Sequence, residues 1–321
     1  MASLRVVPGF KRPRGIAANT LTVIRRRGWR ERFLERLAEP VHLSLASGCV
    51  ALFGSYRMKV AFDVVRRRHY AYCTLAAADL AKSRGLDAIT IVEFGVAGGD
   101  GLLNLCHIAR DVSSITEVRI EVLGFDSGCG MPPPRDYRDH PDLYQAGDFP
   151  MNVEALRHAL PSNGKLMLGE LRDTVPRFMR QLSSRSPVGF AAIDVDYYFS
   201  AVEALTLFKD HEPQKYLPTT LLYLDDIIDV SNSRFTGEML AIEEFNAAHA
   251  MRKIDHHQFL RSERIFKNAR WIDQVFVLHV LDHPVMRQAK ITRPPKVYSE
   301  AVDGRYDELA PVATSMASLK Q

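Results

Sequence analysis

A chain of 321 residues, 46% hydrophobic and 25% charged with a formal net charge of +4, has the composition of an ordinary soluble globular protein. That balance excludes a disordered chain. Four widely spaced cysteines, with no C-x-x-C and no zinc-like spacing, exclude a disulfide scaffold or zinc module and read as free thiols of a reducing, cytoplasmic compartment.

Residues 1–20 carry Pro8, Gly9, Pro13 and Gly15 and are expected to be poorly ordered. From Leu21 to about Leu86 the pattern is helical. The apolar run Val41 to Gly54 is interrupted by His42 and Ser44 and is too short for a bilayer, so a buried helix and no membrane span are expected. No secretory pattern stands at the N-terminus. Residues 1–70 hold 15 Lys and Arg against 4 Asp and Glu, whereas the remainder holds 27 against 34. The basic excess is concentrated in Arg25–Arg27, Arg30, Arg32, Arg36 and Arg66–Arg68. It fits either an electrostatic footprint for nucleic acid or anionic lipid, or a solvated helical face or arm docked on a partner subunit. Aromatics for base stacking are sparse there, which favours the second reading: nucleic acid is not the expected partner, and a homo-oligomer is compatible.

The first strand candidate, Ile89–Phe94, ends at Glu93 and is followed by Gly95, Gly98, Gly99 and Gly101. An apolar pattern of helical spacing begins at Leu102. Strand, glycine turn and helix start together form a place where a nucleotide-like ligand can lie against bare backbone. The string reads E-x-G-x-x-G-G, and no frame supplies the G-x-G-x-x-G of dinucleotide folds. Further strand candidates are Arg119–Phe125, Lys165–Leu168, Val188–Val195 and Thr219–Leu224. They alternate with helix candidates Leu102–Arg110, Asn152–Leu160, Val175–Ser183 and Ser200–Lys209, followed by a helix over Gly237–Met251 and a strand over Gln274–Val280. The alternation predicts an α/β fold, a doubly wound and mostly parallel sheet with a helical N-terminal extension. The domain boundaries expected are 1–85 for the basic helical extension, 86–290 for the α/β domain and 291–321 for a tail containing Pro294 and Pro295.

Carboxylates recur where strands end. Glu93 closes the first strand, Asp126 the second, Asp194 and Asp196 the fourth, Asp225 and Asp226 the fifth. In open parallel sheets ligands bind beyond these ends, so all six acids should meet on one rim. Each alone could be a helix cap; the set is better read as a site. Asp126, followed by Ser127, is placed to accept both ribose hydroxyls of an adenosine. Glu93 would sit near the amino-acid portion of a cofactor, and the loop from Gly128 through Pro132, Pro133 and Pro134 could cover it. Three or four carboxylates among Asp194, Asp196, Asp225 and Asp226 are not all comfortably ionised without a cation, and oxygen-only ligands suit Mg²⁺. A free carboxylate nearby can then take a hydroxyl proton. His249, His256 and His257 follow closely enough to border an acceptor pocket, but lone histidines are more often packing or surface residues.

The order E-F-G-V-A-G-G, G-F-D-S, Asp173-Thr-Val-Pro176, D-V-D-Y-Y-F-S and L-D-D resembles the macrocin O-methyltransferase family, over about residues 88–250. The resemblance implies a Rossmann-like class I methyltransferase fold with a seven-stranded sheet, S-adenosyl-L-methionine as cofactor and Mg²⁺ as metal. The activity implied is O-methylation of a small-molecule hydroxyl acceptor such as a sugar or glycosylated metabolite. It also implies that Asp225 and Asp226, with one Asp of the Asp194/Asp196 pair, hold the metal, and that an Asp of that pair is the general base. The sequence leaves the two interchangeable; D-x-D-x-Y, with Tyr198, favours Asp196 as base and Asp194 as ligand. Glu93, Gly95, Gly98, Gly99, Asp126 and Ser127 are the expected cofactor-binding residues. The chain departs from the family at Leu217-Pro-Thr-Thr220, where paired glycines are usual, and at Ile227, where an aromatic is usual. Two other readings compete: a glycosyltransferase using Asp194-Val-Asp196 as a D-x-D metal motif, and a nucleic-acid-binding methyltransferase-fold protein.

Overall fold

Strands set the frame. The computed structural model describes residues 34–228 and 233–287, so Arg25–Arg27, Arg30, Arg32 and the tail from Ile291 lie outside the described residues. β1 (Ala88–Phe94), β2 (Arg119–Asp126), β3 (Gly164–Leu168), β4 (Val188–Ile193), β5 (Tyr216–Leu224), β6 (Arg252–His256) and β7 (Val275–Val280) form one sheet in the order β3-β2-β1-β4-β5-β7-β6. β3, β2, β1, β4 and β5 run parallel; β7 is antiparallel to both β5 and β6. The apolar runs of β1 and β4 are buried along their whole length, as parallel strands covered on both faces must be. β6 was not expected from the sequence. Its residues, Arg-Lys-Ile-Asp-His, carry one buried aliphatic, Ile254, and the strand is an outer edge of the sheet, where charge guards against edge pairing.

Helices cover both faces. Before the sheet come α1 (Val41–Phe53), α2 (Tyr56–Ala61) and α3 (Arg68–Ser83). Within it lie α4 (Asp100–Thr116), α5 (Val153–Ala159), α6 (Leu171–Met179), α7 (Tyr198–Leu205) and α8 (Gly237–Ala248), with α9 (Leu260–Glu263) and α10 (Pro284–Arg287) near the end. Side chains of a strand alternate between faces, and the core divides accordingly. Ile89 and Ile91 join Tyr70, Ala71 and Ala78 of α3 and Leu102 and Leu105 of α4. Val92 and Phe94 join α6, α7 and α8 on the other face. Glu93 therefore faces the α3/α4 side. α3, on the N-terminal side of the expected boundary at residue 85, is part of this core. α1 carries no charge, but only Ser47 and Val50 of it are buried, so it is less covered than a core helix. Among the described residues no helix is long and apolar enough to cross a membrane.

Registry explains why the strand-terminal residues meet. Phe94 pairs with Phe125 on one side and Ile193 on the other, and Ile193 pairs with Leu224. The ladder continues one step further: Gly95 N–H donates to Phe125 O (2.9 Å), Asp194 N–H to Phe94 O (2.9 Å) and Asp225 N–H to Ile193 O (3.1 Å). Gly95, Asp126, Asp194 and Asp225 thus stand in one row across the carboxyl edge. The strand order reverses between β1 and β4, the switch point at which open α/β sheets leave a crevice.

Candidate active site

A cavity of about 630 Å³ opens at that crevice, and Glu93, Gly95, Gly98, Asp126, Ser127, Asp194, Asp196, Asp225 and Asp226 all line it. Gly99, the remaining expected residue, packs just behind. Glycines and acids thus line one cavity.

The glycines do different jobs. Gly95 has φ +83° and lies so close to β4 that an added Cβ would stand 1.7 Å from the Asp194 carbonyl oxygen. Gly99 (φ +87°) begins α4, and a Cβ there would press on Leu156 at 2.4 Å. Gly101 makes room for Glu93, whose Oε1 would be 2.2 Å from an added Cβ. At Gly98 a Cβ meets nothing within 4 Å, so its bareness serves the cavity and not the packing.

Glu93 is 1% exposed. Its Oε1 accepts the Tyr70 hydroxyl at 2.7 Å, and its Oε2 has no partner among the described residues. Burial pushes its carboxyl up to about 7; the Tyr70 hydroxyl and Arg67 pull the other way, while Asp100 and Asp126 add to the rise. Asp126 is used structurally as well. Its Oδ2 accepts Val96 N–H and Ala97 N–H (2.9 Å each) and its Oδ1 accepts Gly128 N–H (2.7 Å), so it pins the glycine turn to the end of β2. Three amides use three of its roughly four lone-pair sites, two on Oδ2 and one on Oδ1, leaving one on Oδ1 for a ligand contact. Ser127 Oγ is turned into its own loop, between Cys129 N–H and Gly130 O.

Asp194, Asp225 and Asp226 each offer an oxygen within 4.8 Å of the others, a spacing that one cation can bridge. Burial, then Asp225 and Asp196, push the Asp194 carboxyl well above the usual carboxylate range; burial and Glu238 do the same for Asp226. Only Asp194 of the D-x-D string joins this cluster among the described residues. Asp196 adopts φ +58°, in a three-residue turn closed by Tyr197 N–H to Val195 O (2.5 Å), and its own N–H donates to Asp226 Oδ2 (3.0 Å). Left-handed backbone is uncommon outside glycine and gathers at functional sites. Burial raises the Asp196 carboxyl, and the Tyr144 hydroxyl beside it draws it back. Tyr223 donates to Asp225 Oδ1 at 2.7 Å, fixing that carboxylate from behind.

The loop after β2 folds over the cavity. Met131 N–H donates to Asp148 O and Gly147 N–H donates to Met131 O (2.8 Å each), joining its two limbs, and Asp139 Oδ1 ties it to the first turn of α7 by accepting Phe199 N–H (3.2 Å). Gly130, Met131, Pro132, Tyr144 and Phe149 form its inner surface. Several site residues escaped the sequence reading. Glu170 follows β3 by the strand-end rule and could have been found by applying that rule to the third strand. Glu238, wholly buried behind the acid cluster, looks in sequence like an ordinary first-turn acid of α8. Arg67, Tyr70 and Tyr144 carry no local signal, because only tertiary packing brings them to the rim.

His249, His256 and His257 do not line the cavity; His249 Nδ1 meets Phe245 O and His256 packs edge-on to Phe276. Three of the described basic residues, Arg36, Arg66 and Arg68, are engaged within the chain. Arg36 donates to Phe62 O (2.8 Å) and Asp63 O (3.2 Å) and lies over the Phe266 ring, Arg68 pairs with Glu35, and Arg66 with Asp100.

No protein-family model matches the chain, and no curated protein does. Among solved structures it is similar to CalS11, a calicheamicin methyltransferase, with TM-score 0.43 and 17% identity over 66% of this chain and 87% of that one. An apo structure of CalS11, described as a TDP-rhamnose 3'-O-methyltransferase, gives TM-score 0.34 and 17% identity over 66% and 88%. MycE methyltransferase of the mycinamycin pathway, in complex with Mg and SAH, gives 0.33 and 12% over 64% and 48%. Likeness at this level leaves the function to be read from the site's own geometry.

Proposed function

We propose that this chain is an S-adenosyl-L-methionine-dependent O-methyltransferase, assisted by Mg²⁺, that methylates a hydroxyl of a small molecule such as a sugar or glycosylated metabolite. The observation that carries this reading is the joining, in one cavity, of a bare glycine turn with a three-carboxylate cluster one cation can bridge. The residues fit both groups. Three clustered carboxylates, two of them (Asp194 and Asp226) held above their ordinary range by burial, are a donor set suited to a hard cation, and the unpartnered Glu93 Oε2 is a ready acceptor for a cationic cofactor group.

Asp194, Asp225 and Asp226 would hold the ion. When bound, the ion supplies positive charge that favours loss of a neighbouring hydroxyl's proton, and the cofactor supplies an electrophilic methyl group. The chain's own residues do the rest. Asp126 keeps the glycine turn in place for the adenosine portion, and Gly98 leaves its space open. Asp196, apart from the three ligands and set by its strained turn, takes the acceptor's proton on its carboxylate. Tyr144, Phe149 and Met131 exclude water from the gap between acceptor and cofactor. The contribution is mainly orientation plus proton removal.

Isothermal titration of the full chain with S-adenosyl-L-methionine and with its demethylated product is the direct test. Sub-millimolar binding of both is expected, and binding of neither ends the proposal. Loss of turnover on chelation, restored by Mg²⁺ but not in Asp225→Asn, tests the metal.

A further inference from the structure

We propose that Arg67 is the anion-binding group of this cavity and that it grips the carboxylate of the cofactor's amino-acid portion, while Glu93 faces the ammonium. The inference rests on the cofactor reading above and assigns a contact that reading does not require.

The charge pattern of the wall is lopsided. Among its described residues nine are acidic, and Arg67 is the single basic one. S-adenosyl-L-methionine has the complementary pattern: a sulfonium and an ammonium, both positive, and a single carboxylate. A ligand of that kind suits acids everywhere but one place. A nucleoside diphosphate would instead bring two or more negative charges against nine acids.

Arg67 is also left open for a partner. Its side chain is 28% exposed, and no hydrogen bond leaves its guanidinium among the described residues. The nearest carboxylate oxygen is Asp100 Oδ2 at 3.5 Å, too far for a good hydrogen bond, and Asp100 already pairs with Arg66. The guanidinium carbon stands 5.3 Å from the centre of the Tyr70 ring, the ring whose hydroxyl reaches Glu93. One face of the fork is therefore steadied and its five donors are unspent. A carboxylate matches that fork with two parallel bonds, which a point-charge ammonium would not reproduce.

The backbone points the same way. Arg67 has φ +46°, left-handed, immediately before α3. A non-glycine residue held there is strained, and such strain concentrates at ligand clamps. Across the same part of the cavity Glu93 offers a buried oxygen without a partner. An open guanidinium and an open carboxylate on one wall are the two halves of a receptor for an α-amino acid zwitterion.

The test compares two thioethers on the full chain by calorimetry: S-adenosyl-L-homocysteine, and its decarboxylated analogue S-adenosyl-3-thiopropylamine, which keeps the amine and lacks only the carboxylate. The parent chain should bind the first more tightly. Arg67→Met should weaken S-adenosyl-L-homocysteine by roughly 10- to 100-fold, the range for lost charge-assisted bonds, and leave the analogue within about twofold. Arg67→Lys should recover only part of the loss. Retained binding of the analogue shows that the variant is folded. Equal affinities of the parent for both ligands, or equal weakening of both in Arg67→Met, overturns the assignment while leaving the cofactor reading intact. A variant that binds both thioethers as the parent does but loses a nucleoside diphosphate sugar places Arg67 on the acceptor and also overturns it. A parent chain that binds neither thioether removes the cofactor reading itself, and this proposal with it.

Discussion

Replacing Glu93 by Gln should change how stability depends on pH, with a sign and size the structure fixes. Glu93 is buried, and its carboxyl is held at about 7 instead of its ordinary 4.5. The folded state therefore holds this proton more tightly than the unfolded chain does. Its contribution to stability is fully present below about pH 4.5 and is lost as pH rises through about 7. The two values differ by about 2.5 units, or about 3 kcal/mol at 1.36 kcal/mol per unit, and about 2.5 kcal/mol of that falls between pH 5 and pH 8. Gln keeps an oxygen for the Tyr70 hydroxyl and carries no charge to bury, so it is spared the loss. Urea unfolding of the ligand-free chain at pH 5 and pH 8 gives the double difference directly. Glu93→Gln should gain roughly 2–3 kcal/mol on the parent over that interval, whatever the other acids do in common to both proteins. A stability difference between the two proteins that stays constant across pH would refute the burial argument. A difference that moves the other way would place a cation against Glu93 that compensates its charge.

Three further outcomes are expected. Asp226→Asn should stabilise the metal-free chain at pH 8, because Asp226 is a buried acid raised by burial and by Glu238, and should abolish the melting-temperature rise that Mg²⁺ gives the parent. At an ion concentration about 100-fold above its dissociation constant that rise corresponds to about 2.7 kcal/mol, or roughly 5–10 °C by differential scanning calorimetry. Gly95→Ala should cost about 3 kcal/mol or more, since its Cβ would fall 1.7 Å from a backbone oxygen at φ +83°, whereas Gly98→Ala should leave unfolding within about 0.5 kcal/mol and weaken cofactor binding at least about tenfold. Arg264→Met should cost about 3–5 kcal/mol in urea unfolding, because it strands the wholly buried Asp63 carboxylate that Arg264 Nη2 meets at 2.7 Å.

How much of this was legible beforehand follows from where the information lies along the chain. β1 and β4 are apolar runs closed by acids, and both the run and the closing acid are local features, so the strands, their order of appearance and the rim of carboxylates could be read directly. β6 could not, because an edge strand with Arg252, Lys253 and Asp255 has neither an apolar run nor a clean alternation. α6 begins at Leu171, four residues before the helix candidate at Val175, since the amphipathic signal starts only after Arg172 and Asp173. Within the site, the identity of the metal candidates was visible as a Asp-Asp pair plus a D-x-D. The separation of Asp194 from Asp196 was not, because it depends on a left-handed turn at an aspartate that nothing in the string announces. Arg67 illustrates the same limit. In the sequence it is one of three consecutive arginines with an apparently shared role. In the fold, Arg66 and Arg68 find carboxylates while Arg67 lines the cavity.

The acids also explain one another. Asp194, Asp226 and Glu238 are pushed upward by burial first and by neighbouring acids next, and Asp196 by burial against the pull of the Tyr144 hydroxyl, so the ligand-free site favours protonated carboxyls. Glu238 sharpens the point: it is wholly buried, only the backbone amides of Asp226 and Val195 offset the cost of its charge, and no sequence rule for caps requires it to be buried. A protein selected only for stability would replace such a residue with an apolar one of similar volume. On the proposed metal reading, Glu238 beside Asp225 and Asp226 would add negative charge behind the ligands and strengthen the attraction for a divalent ion without coordinating it. Under the proposed function Glu93, on the opposite wall, would do for the cationic cofactor what Glu238 would do for the ion. The cavity would then receive two positive charges a short distance apart, the arrangement that methyl transfer from a sulfonium to a deprotonated oxygen beside a divalent ion requires.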